Sequence, residues 1–380
     1  LPLPHRGGDR VSGTGPVGVG LIGAGVISRQ YLENLTSFPD IVVHAIGDVY
    51  EPVAAERAKE FGIDSWGGVD ATLGHPDVEI VINLTIPAAH VQIALAAVAA
   101  GKHVWTEKPF SLDRPSGLAL LDAAGTAGVR LGSAPDTFLG AGLQTARRMI
   151  ERGDIGVPLT ALTLMQSPGP ESWHPNPAFL FQEGAGPLFD IGPYYLTALM
   201  QTFGSVRRVA ALGSKSRETR VIGSGPKAGE RFAVTVPSHV SAIAEFEGGQ
   251  SSQSIFSFDS PLGRHGFVEV TGTEGTMSLP DPNDFDGEIR VRHSGDEGWT
   301  VYPSVGATSS RGVGVLEMGR AIRADRPHRA TGELAYHVLD TMVSISESID
   351  SRSFVEVQSS ITPVAALPED WDPTAATLPA

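Results

Sequence analysis

A glycine pair set between a strand and a helix constrains this chain more than anything else in it. Val17–Ile22 is an apolar run, Gly23-Ala24-Gly25-Val26-Ile27-Ser28 follows, and a helical pattern runs from Val26 to about Ser37. Gly23 permits the tight turn and Gly25 lets the backbone approach a pyrophosphate. The first turn of the helix, at Val26 and Ile27, offers free N–H groups and a partial positive charge. The third position holds Ser28, which is small enough for close helix–strand packing. In a chain with 45 glycines such a pattern is weak by itself. At the head of a strand–helix–strand run it reads as a dinucleotide fingerprint.

That run continues. Ile41–Ile46, Glu79–Leu84, His103–Thr106 and Val129–Ala134 read as further strands, and Val53–Phe61, Ala88–Ala100 and Pro115–Ala127 as helices between them. Strands separated by helices of this length imply a parallel, doubly wound α/β sheet. After about Asp136 the pattern changes. A helix at Ala141–Arg152 is followed by longer strand-like runs: Leu159–Gln166, Val206–Leu212, Ser238–Phe246, Gln250–Phe258, Phe267–Gly272 and Ile289–His293. Helical segments are expected at Pro187–Thr202, Val313–Ala324 and Glu333–Ser351. The expected division is a tail at 1–15, a Rossmann domain at 16–136, an α+β domain with a large, mostly antiparallel open sheet at 137–360, and a Pro-rich tail at 361–380.

Composition narrows the function. With 28 Lys+Arg against 43 Asp+Glu, the formal charge of −15 argues against nucleic acid or an anionic membrane as partner. The absence of cysteine removes disulfides, thiolate metal sites and a cysteine nucleophile. The eleven histidines are scattered, without His-x-x-x-His or His-Glu-x-x-His, so no metal site is expected. The longest apolar stretch, Val91–Ala100, is about half of what a bilayer requires. Leu1–Pro16 lacks an apolar core of the signal-peptide kind. A cytoplasmic enzyme is expected.

Several residues sit where such a sheet binds ligands. Asp48 follows the second strand, about 20 residues past the glycines, where an acid bonds the adenosine ribose hydroxyls of NAD. No Arg or Lys appears between Asp48 and Arg57, so NAD is favoured over NADP. Thr85-Ile86-Pro87 and His90 follow the third clear strand; His90 is read either as a ribose contact or as a helix cap. Glu107-Lys108-Pro109 ends the strand His103–Thr106. A lysine there points into the ligand crevice, and partial desolvation would suit it to proton transfer. Farther on, Asp190 and Tyr194 are spaced i, i+4 and share a helix face. A carboxylate beside a phenol orients a hydroxyl while the phenol exchanges a proton. Ser172-Trp173-His174-Pro175-Asn176-Pro177 is rich in groups that suit sugars. Trp173 is read as a stacking face and His174 as a hydrogen-bonding or acid/base group. Asp136, past the strand Val129–Ala134, is a further substrate-contact candidate.

Gly23-x-Gly25-x-x-Ser28, Glu107-Lys108-Pro109 and Asp190-x-Gly192-x-Tyr194, in this order, resemble the glucose–fructose oxidoreductase / inositol dehydrogenase / rhizopine-catabolism (Gfo/Idh/MocA) family. The resemblance extends from about Val17 to about Ser351. It implies a Rossmann domain joined to a C-terminal α/β domain, and hydride transfer between NAD or NADP and a secondary alcohol of a sugar, inositol or related polyol. It also implies that Lys108 binds and polarises the reacting oxygen and that Asp190 orients the substrate. Many members carry His where this chain has Tyr194, which keeps a proton donor but removes a group titrating near neutrality. The open second sheet leads to the expectation of a homodimer or homotetramer. Two other readings share the resemblance: glycoside cleavage through a transient oxidation with the cofactor recycled, and a non-catalytic dinucleotide or sugar sensor.

Overall fold

The strand β1 (Val17–Ile22) is buried along all six residues, as expected of a central strand covered on both faces. In the computed structural model, which describes residues 13–308 and 310–378, it is the middle of a six-stranded parallel sheet. The chain alternates through α1 (Val26–Leu35), β2 (Ile41–Gly47), α2 (Glu51–Phe61), β3 (Ser65–Gly67), α3 (Val69–Leu73), β4 (Ile80–Asn83), α4 (His90–Ala99), β5 (His103–Thr106), α5 (Arg114–Ala127) and β6 (Leu131–Ser133). The helix α5 starts where Asp113 caps it, its carboxylate accepting from Ser116 N at 2.8 Å, with Pro115 in the first turn. Strand order is β3-β2-β1-β4-β5-β6. The order reverses between β1 and β4, which pair from Val19↔Ile80 to Ile22↔Asn83. Such a reversal opens a crevice at the carboxyl ends of the strands.

The rest of the chain supplies α6 (Ala141–Arg152), β7 (Pro158–Gln166), α7 (Gly186–Phe203), β8 (Val206–Ser214), β9 (Thr219–Val221), β10 (Arg231–Ala233), β11 (His239–Phe246), β12 (Ser251–Ser257), β13 (Arg264–Gly272), β14 (Gly275–Leu279), β15 (Ile289–His293), β16 (Thr300–Tyr302), α8 (Val313–Arg323), α9 (Gly332–Ser351) and β17 (Val355–Glu356). Nine of these strands form one sheet in the order β16-β15-β14-β13-β7-β12-β11-β8-β17. It is antiparallel except for the β7–β12 pair. Along β11, Val240, Ala242, Ala244 and Phe246 are buried and alternate with more exposed residues, the period-two signature of a sheet covered on one face. The covering helix is α7: Phe203 meets Phe246 with ring centres 4.9 Å apart, and Tyr195 meets Phe256 edge-on at 5.8 Å.

The division of the chain differs from the linear one expected. One unit gathers the described residues up to Asp136 together with 310–336 and 370–378; the other holds 137–308 and 337–369. The helix α8 thus belongs to the Rossmann unit, not to the α+β domain. Asp136 Oδ2 accepts from the N–H groups of Gly312 and Gly314 at 2.9 and 3.1 Å and closes the start of that helix. The segment expected as a C-terminal tail is no tail. Ile361 N donates to Ser205 Oγ at 2.9 Å in the second unit. In the first unit, Asp40 accepts from Thr377 N, Thr377 Oγ1, Leu378 N and the Arg320 guanidinium. Burial alone would raise the Asp40 pKa, but these hydrogen bonds outweigh it and hold the carboxyl below its ordinary range. The expected N-terminal tail lies largely outside the described residues.

Candidate active site

In the first unit the glycine turn sits at the reversal of strand order. Gly23 has φ +103°, and a Cβ there would lie 2.6 Å from the Leu84 carbonyl, so the close crossing of the β1 and β4 loops requires glycine. At Gly25 the opposite holds: a Cβ would meet nothing within 4 Å. The α1 N-terminus has no side-chain cap, and Val26 is 93% exposed. Open space, uncapped N–H groups and the helix dipole together fit a pyrophosphate. Asp48 is held beside this turn. Its Oδ2 accepts from Ala24 N at 2.8 Å and its Oδ1 from Tyr50 N at 2.9 Å. Each oxygen keeps a further lone pair for a ribose hydroxyl. These residues fit an NAD molecule, with Gly23, Gly25, Val26 and Ile27 at the phosphates and Asp48 at the adenosine ribose.

Lys108 follows β5, next to β4 in the sheet. The two loops are tied together. Asn83, wholly buried, accepts from Thr85 N and Thr85 Oγ1 and donates from Nδ2 to His90 O at 2.8 Å. The His90 ring lies between two carbonyls, with Nδ1 2.8 Å from Pro109 O and Nε2 2.9 Å from Thr85 O. It is 1% exposed, so it braces the loops after β4 and β5 and is not a ribose contact. Pro87, in a 3-10 turn, redirects the chain between them. Asn83 looks in the sequence like one polar residue in an apolar strand; its bonds to Thr85 and His90, within the segment after β4, show its role.

Behind Lys108 lies a buried relay. Glu107 Oε2 accepts from Lys108 N at 3.1 Å, and its Oε1 accepts from Tyr31 Oη at 2.7 Å. Tyr31 in turn accepts from Trp105 Nε1 at 3.2 Å. Tyr31 and Trp105 are wholly buried. Burial above all, then the nearby Glu107 and Asp136 carboxylates, push the Tyr31 pKa well up, so its hydroxyl stays a donor. Glu107 is therefore a positioning group for the Lys108 backbone, set from behind, and the residue is 8% exposed. Asp136 is also wholly buried, and burial pushes its pKa up to about 6 against the pull of Arg311. A carboxylate committed to the start of α8 is not a substrate contact in this unit, which corrects that expectation.

In the second unit, Asp190 and Tyr194 lie on α7 as the spacing predicted. Asp190 is half-buried, and Tyr194 is 4% exposed. Tyr195 accepts from Gly266 N at 2.8 Å and packs in the core. The aromatic loop stands out: Trp173 is 68% exposed and its ring meets His174 edge-on at 5.5 Å, while His174 meets Phe179 at 5.6 Å. His174 Nδ1 accepts from Asn176 N at 3.0 Å, which leaves the neutral ring's proton on Nε2. In that tautomer Nε2 is the ring's donor and the Nδ1 lone pair is already occupied.

The loop is anchored by Arg220, a residue the sequence reading passed over. Arg220 is 4% exposed and pairs with both Glu171 and Asp259. It donates to Pro168 O at 3.0 Å and Phe258 O at 2.8 Å, and lies 4.8 Å over the Phe181 ring. Among the described residues no cluster of histidine and acidic side chains could hold a metal ion, and no helix is long and apolar enough to cross a membrane.

Comparison with known proteins agrees with this geometry. Residues 17–134 match the model of an oxidoreductase family with an NAD-binding Rossmann fold, and residues 143–278 match the Gfo/Idh/MocA C-terminal domain. The chain is 27% identical over 328 residues to 1,5-anhydro-D-fructose reductase of Ensifer adhaerens, covering 80% of this chain and 94% of that protein. It is 26% identical to levoglucosan dehydrogenase of Pseudarthrobacter phenanthrenivorans, over 68% of this chain and 72% of the relative. Among solved structures, an NAD binding oxidoreductase from Klebsiella pneumoniae superposes with a TM-score of 0.80 at 23% identity, covering 91% of this chain and all of that one. Levoglucosan dehydrogenase in complex with NADH and levoglucosan gives 0.77 at 22%, over 90% and 100%. With both halves matched in order, the chain belongs to the Gfo/Idh/MocA family of NAD-binding oxidoreductases.

Proposed function

We propose that this enzyme transfers a hydride between NAD and a secondary hydroxyl of a sugar, inositol or related polyol. The observation that carries the reading is Lys108, held by Glu107 at the end of β5 beside the strand-order reversal where the glycine turn lies. Relatives named for anhydrofructose reduction and for levoglucosan and scyllo-inositol oxidation support the substrate class.

Bound NAD would supply the hydride-accepting ring. The protein's own contribution is placement and charge. Uncapped N–H groups at Val26 and Ile27 bind phosphate, and the Asp48 carboxylate accepts from ribose hydroxyls. As the carbinol C–H bond breaks with its electron pair leaving as hydride, the O–H bond releases its proton and negative charge builds on oxygen. The Lys108 ammonium is suited to stabilise that oxygen. Asp190 is assigned to orienting the substrate and Tyr194 to exchanging its proton, both from α7. Trp173 offers a stacking face for a pyranose ring and His174 an outward donor. The face of the second sheet carrying Leu162 and Ile243, 37% and 45% exposed, is assigned to self-association.

The test is NADH formation from NAD across pyranoses, inositols, levoglucosan and simple glycosides, with wild type and Lys108→Ala run together and NAD binding measured by calorimetry. Turnover should fall by about 100-fold or more in the variant, in the range of general acid–base catalysis, while NAD affinity changes little. Unchanged turnover would remove Lys108 from the chemistry. Intact NAD binding with no NADH from any substrate would overturn the dehydrogenase reading, and glycoside cleavage in the same tubes would then identify cofactor recycling.

A further inference from the structure

A small hairpin packs against the aromatic loop of the second unit. The strands β9 and β10 form a two-stranded sheet of their own, with Arg220 opposite Phe232. Two strands alone are marginally stable in water, so the hairpin needs a neighbour to pack on. That neighbour is the 168–182 loop. Arg220 holds Glu171 and Pro168 O at the start of the loop, and Phe232 meets the Phe181 ring at its end, with ring centres 5.4 Å apart. Between these anchors the hairpin tip, residues 222–229, runs along the loop from Glu171 to Pro175. Gly223 N donates to Glu171 O at 2.7 Å, and a Cβ at Gly223 would lie 3.0 Å from Ser172 Cα. Gly225 has φ +75°, and a Cβ there would lie 2.6 Å from Pro175 Cβ, closer than real atoms approach. Trp173 and His174 lie between these two contacts in the chain. Gly229, in the same tip, has φ +92° and nothing within 4 Å of where a Cβ would be.

An exposed loop binds a ring weakly when binding must first order it, because ordering costs conformational entropy. We propose that the β9–β10 hairpin is the mould of the substrate loop. Arg220 fixes where the loop starts. Gly223 and Gly225 let Ser172 and Pro175 seat on the tip, and this holds the Trp173 face in one place. Gly225 is then a positioning residue, which acts through Pro175 on the affinity for the sugar or polyol ring. This rests on the reading of Trp173 and His174 as substrate groups.

The two exposed glycines of the tip give a matched pair. Gly225→Ala and Gly229→Ala impose the same kind of backbone strain at positive φ, but only the first meets Pro175. Amide exchange of the 168–182 segment, followed by mass spectrometry, should quicken about fivefold or more in Gly225→Ala and stay within about twofold of wild type in Gly229→Ala. Initial rates are then measured with saturating NAD on levoglucosan, myo-inositol, D-glucose and methyl glucoside. For the best of these, KM should rise about threefold to tenfold in Gly225→Ala, the scale of one lost stacking face, with kcat within about twofold. Gly229→Ala should keep both constants within about twofold of wild type. Gly223→Ala, which presses on Ser172, should repeat the Gly225→Ala result. In a Trp173→Ala background, Gly225→Ala should change KM by less than about twofold. The proposal is overturned if the Gly225 and Gly229 variants behave alike, if kcat falls while KM holds, or if Gly225→Ala raises KM as much without Trp173 as with it. A wild-type KM in Trp173→Ala would overturn the substrate reading of the loop and the proposal with it. The exchange measurement tells the two failures apart, since it needs no substrate.

Discussion

His337, on α9, makes the stability of the second unit depend on pH in a way that can be worked out in advance. Its ring is wholly buried. Nε2 accepts from Val206 N at 2.9 Å, so the ring proton sits on Nδ1 and is donated to Ser359 Oγ at 2.9 Å. That hydroxyl donates onward to Asp340 Oδ2 at 2.7 Å. A second ring proton would face the Val206 N–H. Burial drives the His337 pKa down from 6.5 to about 4, despite the opposing pull of Asp340. Because the folded value lies below the unfolded one, the unfolded chain binds the proton more readily. The stabilisation is present above about pH 6.5 and is lost as pH falls toward about 4. Between about pH 7.5 and about pH 4.5, the loss from this one group is about 2–3 kcal/mol, from its proton binding in the two states. His337→Gln keeps an acceptor for Val206 N and does not titrate. Urea unfolding followed by circular dichroism at the two pH values should show wild type losing about 2–3 kcal/mol more than the variant. Equal losses would refute the argument that His337 is held neutral.

Two further substitutions probe the supports of the site. Tyr31→Phe leaves Glu107 Oε1 and Trp105 Nε1 without their shared partner in the interior; unfolding free energy should drop by about 1–3 kcal/mol, and a variant as stable as wild type would count against the relay. Arg220→Ala leaves the partly buried carboxylates of Glu171 and Asp259 without their buried cation. It should cost about 3–5 kcal/mol, measured by urea denaturation, and should raise the sensitivity of the 167–182 loop to proteolysis. Protection equal to wild type there would show that the loop is not anchored through Arg220.

The Rossmann half was readable because its determinants are local. Alternating apolar strands and long helices, a glycine turn at the first crossing, and single charged residues at strand ends each occupy a short stretch. Their meaning follows from the periodicity around them. Gly23, Asp48 and Lys108 lie just past the ends of β1, β2 and β5, and Asp190 and Tyr194 lie on one helix, as the periodicity predicted. The short strands β3, β9, β10, β14, β16 and β17 were not legible, since two to five residues carry too little periodicity to separate a strand from a loop. Nor was the parallel β7–β12 pairing, which joins segments far apart in the chain.

What tertiary structure decided is which polar groups were already taken. His90 and Asp136 looked like ligand contacts from their positions at strand ends. Their side chains are bound instead to the Pro109 and Thr85 carbonyls and to the Gly312 and Gly314 amides. Tyr31 and Arg220 carried no sequence signal, because each is defined by partners tens of residues away. The 370–378 segment looked like a free Pro-rich end, yet it satisfies Asp40 and Arg320 in the first unit. A buried polar group must find a partner somewhere, but its own neighbourhood in the chain does not say which. The residue types that can bind a dinucleotide are set by local sequence; which of them remain free to do so is set by packing.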